Sequence, residues 1–123
     1  MSVFVISLKD NGKYKYTFEH RRGKTLMTSV EYPSVEAIHS TISFLRTNYD
    51  SLNFIKFKTP SGKSYFRLAI DKKIYANSRR FNTELRFEKA MEEIKSNFAN
   101  AEILDLSLDI FGNFPSEDIF DAE

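Results

Sequence analysis

The sequence predicts an α+β fold built from a tandem repeat of two β-β-β-α units, followed by a short extra strand and an acidic C-terminal tail. Alternating apolar residues typical of strands occur in two matched sets, and apolar residues at helical spacing follow each set. The length of 123 residues suits a single domain. With 41% hydrophobic and 28% charged residues, the composition is that of a globular protein and excludes a chain that is disordered throughout.

An internal repeat is the main evidence for this architecture. Residues 4–49 align with residues 54–98, with one residue lost from the second copy between its second and third strands. A repeat of roughly 50 residues indicates one supersecondary unit used twice. The matched positions, with the first copy named first, are Gly12 and Gly62, Lys13 and Lys63, Tyr16 and Phe66, Phe18 and Leu68, Lys24 and Lys73, Ser29 and Ser78, Tyr32 and Phe81, Ser34 and Thr83, Ile38 and Phe87, Ile42 and Met91, Leu45 and Ile94, and Asn48 and Asn97.

Three strands are predicted at the start of the first unit. Phe4, Ile6 and Leu8 alternate with Val5, Ser7 and Lys9, which is the period of a strand with one buried face. The dipeptide Asn11-Gly12 is a strong hairpin signal, because both residues accept a positive φ. Aromatic residues then alternate over 14–20, and 24–31 follows as the third strand.

The second unit repeats these strands and adds one more. Residues 54–58 form its first strand, and alternation over 66–70 predicts the second. The turn at Asp71-Lys72 lacks the glycine of its counterpart, which leaves its conformation open. Residues 101–107 resemble the start of the second unit, so we expect a closing strand that completes pairing left open by the repeat.

Each unit ends in a predicted amphipathic helix. Ser34 is expected to cap the first helix, with Glu36 placed where a negative charge meets the helix dipole, and Thr83 is expected to cap the second. Ile42 and Met91 hold corresponding positions and are expected to be buried equivalently. The apolar stripes are Val35, Ile38, Ile42, Leu45 and Tyr49 in the first helix, and Phe87, Met91, Ile94 and Phe98 in the second.

The predicted domain covers residues 3–107 and has a basic surface, whereas the tail is acidic. All 18 basic residues lie in 1–104, and 105–123 contain six acidic residues and no basic one. This asymmetry indicates a polyanion partner for the body or shielding of the body by the tail. The alternative is a solvated surface with a solubilising end.

The tail, 108–123, also carries apolar residues that a purely solubilising segment does not need. We expect residues 106–114 to pack back on the body, with Phe111 or Phe114 buried. The alternative is a short linear motif that folds on binding a partner.

Features shared by the two units also point to a known family. They are Phe4, Asn11-Gly12-Lys13, Tyr14, Tyr16, Phe18, Thr28-Ser29, Tyr32, Ser34 and Asn48 in the first unit, and Phe54, Gly62-Lys63, Phe66, Leu68, Asn77-Ser78, Phe81, Thr83 and Asn97 in the second. This pattern resembles the YegP-like family of bacterial proteins, a domain family of unknown function. The resemblance implies two sheets and two helices related by a pseudo-two-fold axis, as in a dimer within one chain. A monomer is therefore favoured over a homodimer.

Patterns that indicate catalysis or metal binding are sparse. The chain has no cysteine, which excludes a thiolate nucleophile and favours a reducing compartment, the cytoplasm. His20 and His39 are far apart in sequence and are interpreted as surface or boundary residues. The carboxylates of Glu88 and Glu92-Glu93 are interpreted as solvated or paired on a helix face. We predict no metal site and no cofactor, and the resemblance implies no catalytic residues, so we expect a protein that is not an enzyme.

No membrane association is expected from the sequence. No apolar run approaches the ~20 residues that a spanning helix needs. The first residues lack the basic start and long apolar stretch of a signal peptide.

Basic residues on the second strands and at the turns form the one candidate binding surface. We predict a non-enzymatic module that binds an unknown protein or has a structural role, with strand addition at a sheet edge as a concrete mode. The alternative is nucleic-acid or other polyanion binding, in which basic side chains on an open sheet face follow a phosphate backbone. The candidate residues for that alternative are Lys13, Lys15, Arg21, Arg22, Lys63, Arg67, Arg79 and Arg80.

Overall fold

The computed structural model describes residues 2–20 and 23–107, which form strands and helices in the order that the sequence predicts. A turn of 3-10 helix, Tyr49–Ser51, connects the two halves of the chain. The elements are β1 Ser2–Leu8, β2 Tyr14–His20, β3 Lys24–Ser29, α1 Val35–Thr47, β4 Asn53–Lys58, β5 Ser64–Ile70, β6 Lys73–Ser78, α2 Glu84–Asn97 and β7 Glu102–Asp105. The mixed α+β fold is thus confirmed.

The strands of both halves join in one seven-stranded sheet with the order β4-β5-β6-β3-β2-β1-β7. The two halves meet where β3 pairs with β6 in antiparallel orientation, with Thr28 opposite Asn77 at the centre of the pairing. The expectation of two separate sheets is therefore wrong. Pairing β3 with β6 satisfies backbone N–H and C=O groups that two separate sheets would leave open at their edges.

The predicted closing strand is confirmed as β7, although it is shorter than 101–107. It pairs in parallel with β1, and Leu104 lies opposite Val5. The N–H of Leu106 continues this contact by donating to the carbonyl of Ile6 at 2.9 Å. β7 therefore covers the outer edge of β1, the first strand of the first unit.

Each turn between the second and third strands contains a residue with a positive φ. Gly23 has a φ of 83° and Asp71 a φ of 54°, both in the left-handed region. Asp is one of the few residues other than glycine that tolerate this region, because its short polar side chain bonds locally. In the turn without glycine, Asp71 thus takes the left-handed conformation.

Both helices begin at the predicted caps. The Ser34 Oγ accepts a hydrogen bond from the N–H of Ala37 at 3.1 Å. The Thr83 Oγ1 accepts one from the N–H of Arg86 at 3.2 Å. Each bond satisfies a backbone donor that has no partner within the helix, so each helix starts where its sequence predicts.

Both helices pack on one face of the sheet and form one hydrophobic core with it. Each helix contributes three buried residues, which are Ile38, Ile42 and Leu45 in α1 and Phe87, Ala90 and Ile94 in α2. The strands contribute inward-facing residues of alternate positions, among them Phe4, Ile6, Tyr16, Phe18, Met27, Phe66, Leu68 and Ala76.

The equivalent burial expected for Ile42 and Met91 is wrong in detail. Ile42 is 1% exposed, whereas Met91 is half-buried and packs against the rim of the core. Ala90, which is 6% exposed, takes the inward position instead. The buried stripe of α2 is rotated slightly about the helix axis, so that Ala90 rather than Met91 faces the core.

The predicted tail, 108–123, lies outside the described residues, so its docking on the body stays a prediction. Within the part of the chain that the structure describes, no helix combines the length and apolar character needed to cross a membrane.

Candidate anion-binding cleft

A concave site of about 610 Å³ lies where α2 meets the junction of the two halves. The end of β2, the start of β3, the segment between β6 and α2, and one face of α2 form its walls. The lining residues are His20, Lys24, Leu26, Arg79, Arg80, Phe81, Asn82, Arg86, Lys89, Ala90 and Glu93. We call this site the cleft.

One face of α2 supplies a wall of the cleft. Arg86, Lys89, Ala90 and Glu93 are three or four residues apart, which places them on the same side of the helix. Ala90 belongs to the core and has a short side chain, so it leaves space between the longer side chains. The cationic groups of α2 are thus presented beside an open volume.

A β-bulge forms the floor of the cleft. The register between β2 and β3 shifts so that Leu26 has no residue opposite it, while Phe18 pairs with Met27 and Glu19 with Thr25. Leu26 is 8% exposed and belongs to the core. Its carbonyl accepts a hydrogen bond from the N–H of Arg79 at 3.1 Å, which fixes the opposite wall.

The segment between β6 and α2 carries two adjacent arginines, each over an aromatic ring. The Arg79 guanidinium lies 5.8 Å from the ring centre of Phe81, and that of Arg80 lies 5.3 Å from the ring centre of Tyr65. The backbones of Phe81 and Ser64 exchange two hydrogen bonds of 2.8 and 2.9 Å. Cation–π contacts and this bridge restrict both arginines, so their charges are held near the cleft.

The lining of the cleft is strongly cationic. Among the described residues, the lining contains five Lys or Arg side chains and one carboxylate, Glu93. Among residues 2–20 and 23–107, the ion pairs within 4.0 Å join Lys9 to Glu31 and join Lys56 and Lys58 to Glu84. None of these pairs involves a cation of the cleft, so their charges are available to a ligand.

The single carboxylate of the cleft is already engaged. The Ser2 Oγ donates a hydrogen bond to the Glu93 Oε2 at 2.6 Å, and the Asn97 Nδ2 donates to the same oxygen at 3.0 Å. The bond from Ser2, followed by charges that include His20, lowers the pKa of the Glu93 carboxyl below its ordinary value. Glu93 is therefore negative at neutral pH and is held toward the first strand.

Metal chemistry finds no support in the described residues. No group of three or more His, Asp or Glu side chains there is close enough to hold a metal ion. His20 and Glu93 do share the cleft, which sequence reasoning did not anticipate. The expectation that the protein is not an enzyme stays a prediction.

The structure separates the eight predicted polyanion-binding residues. Arg79 and Arg80 line the cleft. Lys63 lies in the β4–β5 turn at the same end of the sheet, and the strand pairing places Lys13 at the opposite end. The other predicted residues are Arg67, exposed on β5, Lys15, half-buried on β2, and Arg21 and Arg22, which lie outside the described residues.

Sequence reasoning missed Lys24, Arg86 and Lys89 as site residues. Arg86 and Lys89 belong to none of the sequence patterns described above. Their spacing of three residues, directly beside the buried Ala90, is the signal that would have placed two cations at the edge of the core.

Comparison with known proteins supports a relationship of fold and sequence. No family model matches the chain. A UPF0339 protein of Acinetobacter baylyi is 24% identical over 106 residues, which cover 85% of this chain and 96% of that protein.

Two solution NMR structures have a similar fold. A UPF0339 protein of Shewanella oneidensis has a TM-score of 0.77 at 20% identity, covering 88% of this chain and 93% of that chain. The protein of unknown function YegP from E. coli has a TM-score of 0.74 at 22% identity, covering 89% of this chain and 96% of that chain. The predicted resemblance is confirmed: the chain is similar in sequence and in fold to the YegP-like, or UPF0339, proteins, a family of unknown function.

Proposed function

We propose that this protein is a non-enzymatic interaction module whose cleft binds an anionic partner. The observation that carries the proposal is the group of five Lys and Arg side chains around one concave site. Like charges held close together repel one another and reduce stability, and bound anionic groups relieve that repulsion. A cleft with this lining is suited to a partner that presents several negative charges.

The arrangement of the cleft supports binding rather than catalysis. Its carboxylate, Glu93, accepts a hydrogen bond from Ser2 and is held ionised. A general acid or base working near neutral pH needs a pKa close to that pH. The pKa of the Glu93 carboxyl is instead lowered, which moves it further from neutral pH. The absence of cysteine also supports a reducing compartment, the bacterial cytoplasm.

The residues on the outer edge of β4 favour a partner that is bound through its charge over a partner that adds a strand to the sheet. β4 has no strand on its outer side among the described elements. It carries Lys56 and Lys58, both of which contact Glu84. Lysines on an edge strand disfavour pairing with another strand, so we favour the cleft as the binding surface.

We also infer that the two β-β-β-α units form a pseudo-two-fold pseudo-dimer within a monomer. The N–H of Val30 donates to the carbonyl of Tyr75 at 3.2 Å, and the N–H of Arg79 donates to the carbonyl of Leu26 at 3.1 Å. Val30 corresponds to Arg79 and Leu26 to Tyr75, so the two bonds are reciprocal. The cleft sits at this junction, and it therefore depends on both units.

A polyanion titration tests the proposed function. Arg79→Glu combined with Arg86→Glu is compared with Lys13→Glu combined with Lys15→Glu, which makes the same change in net charge at the other end of the sheet. Affinity for inorganic polyphosphate and for poly-glutamate is measured at several salt concentrations. We expect the cleft variant to lose at least about tenfold in affinity and to reduce the salt slope by roughly two, with the control near wild type. Equal losses in both variants would mean that only net charge matters and would contradict the proposal.

A further inference from the structure

The face of the sheet opposite the helices carries a second set of aromatic and cationic groups. On β5, Phe66 and Leu68 are buried toward the helices, so Tyr65 and Arg67, which alternate with them, point to the other face. None of the described helices contributes to that face, because α1 and α2 both pack on the core side. Arg67 is exposed there, and Tyr65 is half-buried.

Two stacked aromatic rings and two guanidinium groups lie together on this face. The rings of Phe57 and Tyr65 are 5.3 Å apart with an interplanar angle of 18°. The Arg67 guanidinium lies 5.0 Å from the ring centre of Phe57, and the Arg80 guanidinium lies 5.3 Å from the ring centre of Tyr65. We call this set the aromatic–arginine stack.

The aromatic–arginine stack and the cleft are connected through Arg80. Arg80 lines the cleft and also forms one end of the stack. Its neighbour Arg79 lies over Phe81, which belongs to the core on the helix side of the sheet. Adjacent arginines thus carry positive charge from the cleft, around the end of the sheet, to the open face.

We propose that the cleft and the aromatic–arginine stack together bind one extended ligand, a single-stranded nucleic acid. This inference rests on the proposed function and names its ligand class. Phosphates would bind in the cleft, where Lys and Arg side chains converge, and bases would stack on the planar groups of the open face. Arginine planes and aromatic rings both serve as stacking surfaces for unpaired bases. Asn77 lies opposite Arg67 in the register and supplies an amide beside the stack.

An acidic peptide fits these observations less well. It would use the cations of the cleft, but its carboxylates gain little from the rings of Phe57 and Tyr65. A guanidinium held over a ring loses less freedom when it binds a phosphate, and its N–H groups remain free to bond in pairs. The combination of fixed arginines with stacked rings favours a ligand that has both phosphates and planar bases.

Two labelled probes test this inference by fluorescence anisotropy: an oligothymidylate of twelve nucleotides and an abasic phosphodiester of the same length. Wild type should bind the first at least about tenfold more tightly than the second. Tyr65→Leu combined with Phe57→Leu should reduce this preference at least about fivefold and leave abasic binding unchanged. Phe44→Leu removes an aromatic residue that is 45% exposed on α1, away from the stack, and should change neither affinity.

The outcomes separate the two proposals. If wild type binds both probes equally and the leucine variant behaves as wild type, the nucleic-acid inference is wrong. The proposed function survives in that case only if Arg79→Glu with Arg86→Glu still weakens polyanion binding. If the protein binds poly-glutamate more tightly than either probe, the ligand is an acidic protein segment and the inference is again wrong. If no polyanion binds at the cleft, both proposals fail.

Discussion

The cleft beside α2 differs sharply from the corresponding location beside α1. The correspondence follows the reciprocal pairing of β3 with β6, at an offset of 49 residues along the chain. The cleft residues Leu26, Arg79, Arg86, Lys89 and Glu93 correspond to Tyr75, Val30, Ala37, Ser40 and Phe44. One location is cationic and open, whereas the other carries mainly aromatic and small residues, with Lys73 lying over the Tyr75 ring.

In the first half this location is filled by side chains. The rings of Phe44 and Tyr75 are 6.2 Å apart, and those of Tyr16 and Tyr32 are stacked 6.3 Å apart. Tyr16 is fully buried, and this burial raises the pKa of its hydroxyl well above its ordinary range. The location beside α1 is therefore used for packing, whereas the location beside α2 is free for a ligand.

The difference shows which positions the fold constrains. Ser29 and Ser78 are buried counterparts, and each hydroxyl accepts a backbone N–H at 2.9 Å, from Tyr16 and Phe66 respectively. A buried hydrogen-bonding role leaves little freedom for substitution, because an unpaired donor is costly. The described cations of the cleft are exposed and have no such role, so the halves differ there.

The largest expected effect concerns the two helix cores. Ile42→Asp places a carboxylate in a fully buried site and should destabilise the protein by several kcal/mol, on the order of its whole stability. Met91→Asp should destabilise it much less, by about 1 kcal/mol, because Met91 is half-buried. Urea unfolding followed by circular dichroism measures both. Equal losses would contradict the assigned rotation of α2.

The buried serines should respond alike. Ser29→Ala and Ser78→Ala each leave a backbone N–H without its acceptor and should each reduce the free energy of unfolding by about 1–3 kcal/mol. Their hydroxyls also donate to the carbonyls of Val30 and Arg79, both at 2.7 Å. Thermal unfolding of the two variants is the measurement. Losses that differ by more than about 1 kcal/mol would argue against equivalent roles in the two units.

An exchange of residues between the helices sharpens the comparison. Arg86→Ala with Lys89→Ser gives α2 the residues of α1 and should weaken polyanion binding about tenfold, with little change in stability, because both side chains are exposed. Ala37→Arg with Ser40→Lys gives α1 the residues of α2. It should add little affinity, because Phe44 and Tyr75 fill the space beside them. Isothermal titration with polyphosphate compares the variants, and a gain of tenfold in the second would contradict this account.

The smallest effect is a pH dependence. The hydrogen bond from Ser2 lowers the folded-state pKa of the Glu93 carboxyl below its ordinary value of 4.5, and the bond from Lys9 does the same for Glu31. A lowered carboxyl pKa adds stability that is fully present above pH 4.5 and is lost as pH falls through the folded-state value. Glu93→Gln should therefore flatten the acid side of the stability curve slightly, as should Glu31→Gln. Denaturant midpoints between pH 3 and 6, a range set roughly by that linkage, report the effect.

The elements could be predicted from sequence because their signals are local. Strand alternation, the turn at Gly12 and the caps Ser34 and Thr83 each depend on residues close together in the chain. The cleft could not be predicted in full, because it forms only when β3 pairs with β6 and brings Lys24 beside Arg79. The bulge at Leu26, which changes the register beneath the cleft, also leaves no clear mark in the sequence.

Amide chemical-shift mapping tests the central claim that the anion site lies at the cleft beside α2 and not at the corresponding location beside α1. The full chain, labelled with ¹⁵N, is titrated with polyphosphate at low salt. The account predicts that the largest shifts fall at Lys24 and within 79–93, while the corresponding residues of the first half, 30–44, stay near their free positions. Shifts of equal size in 30–44, or shifts confined to the turn at Lys13, would contradict it.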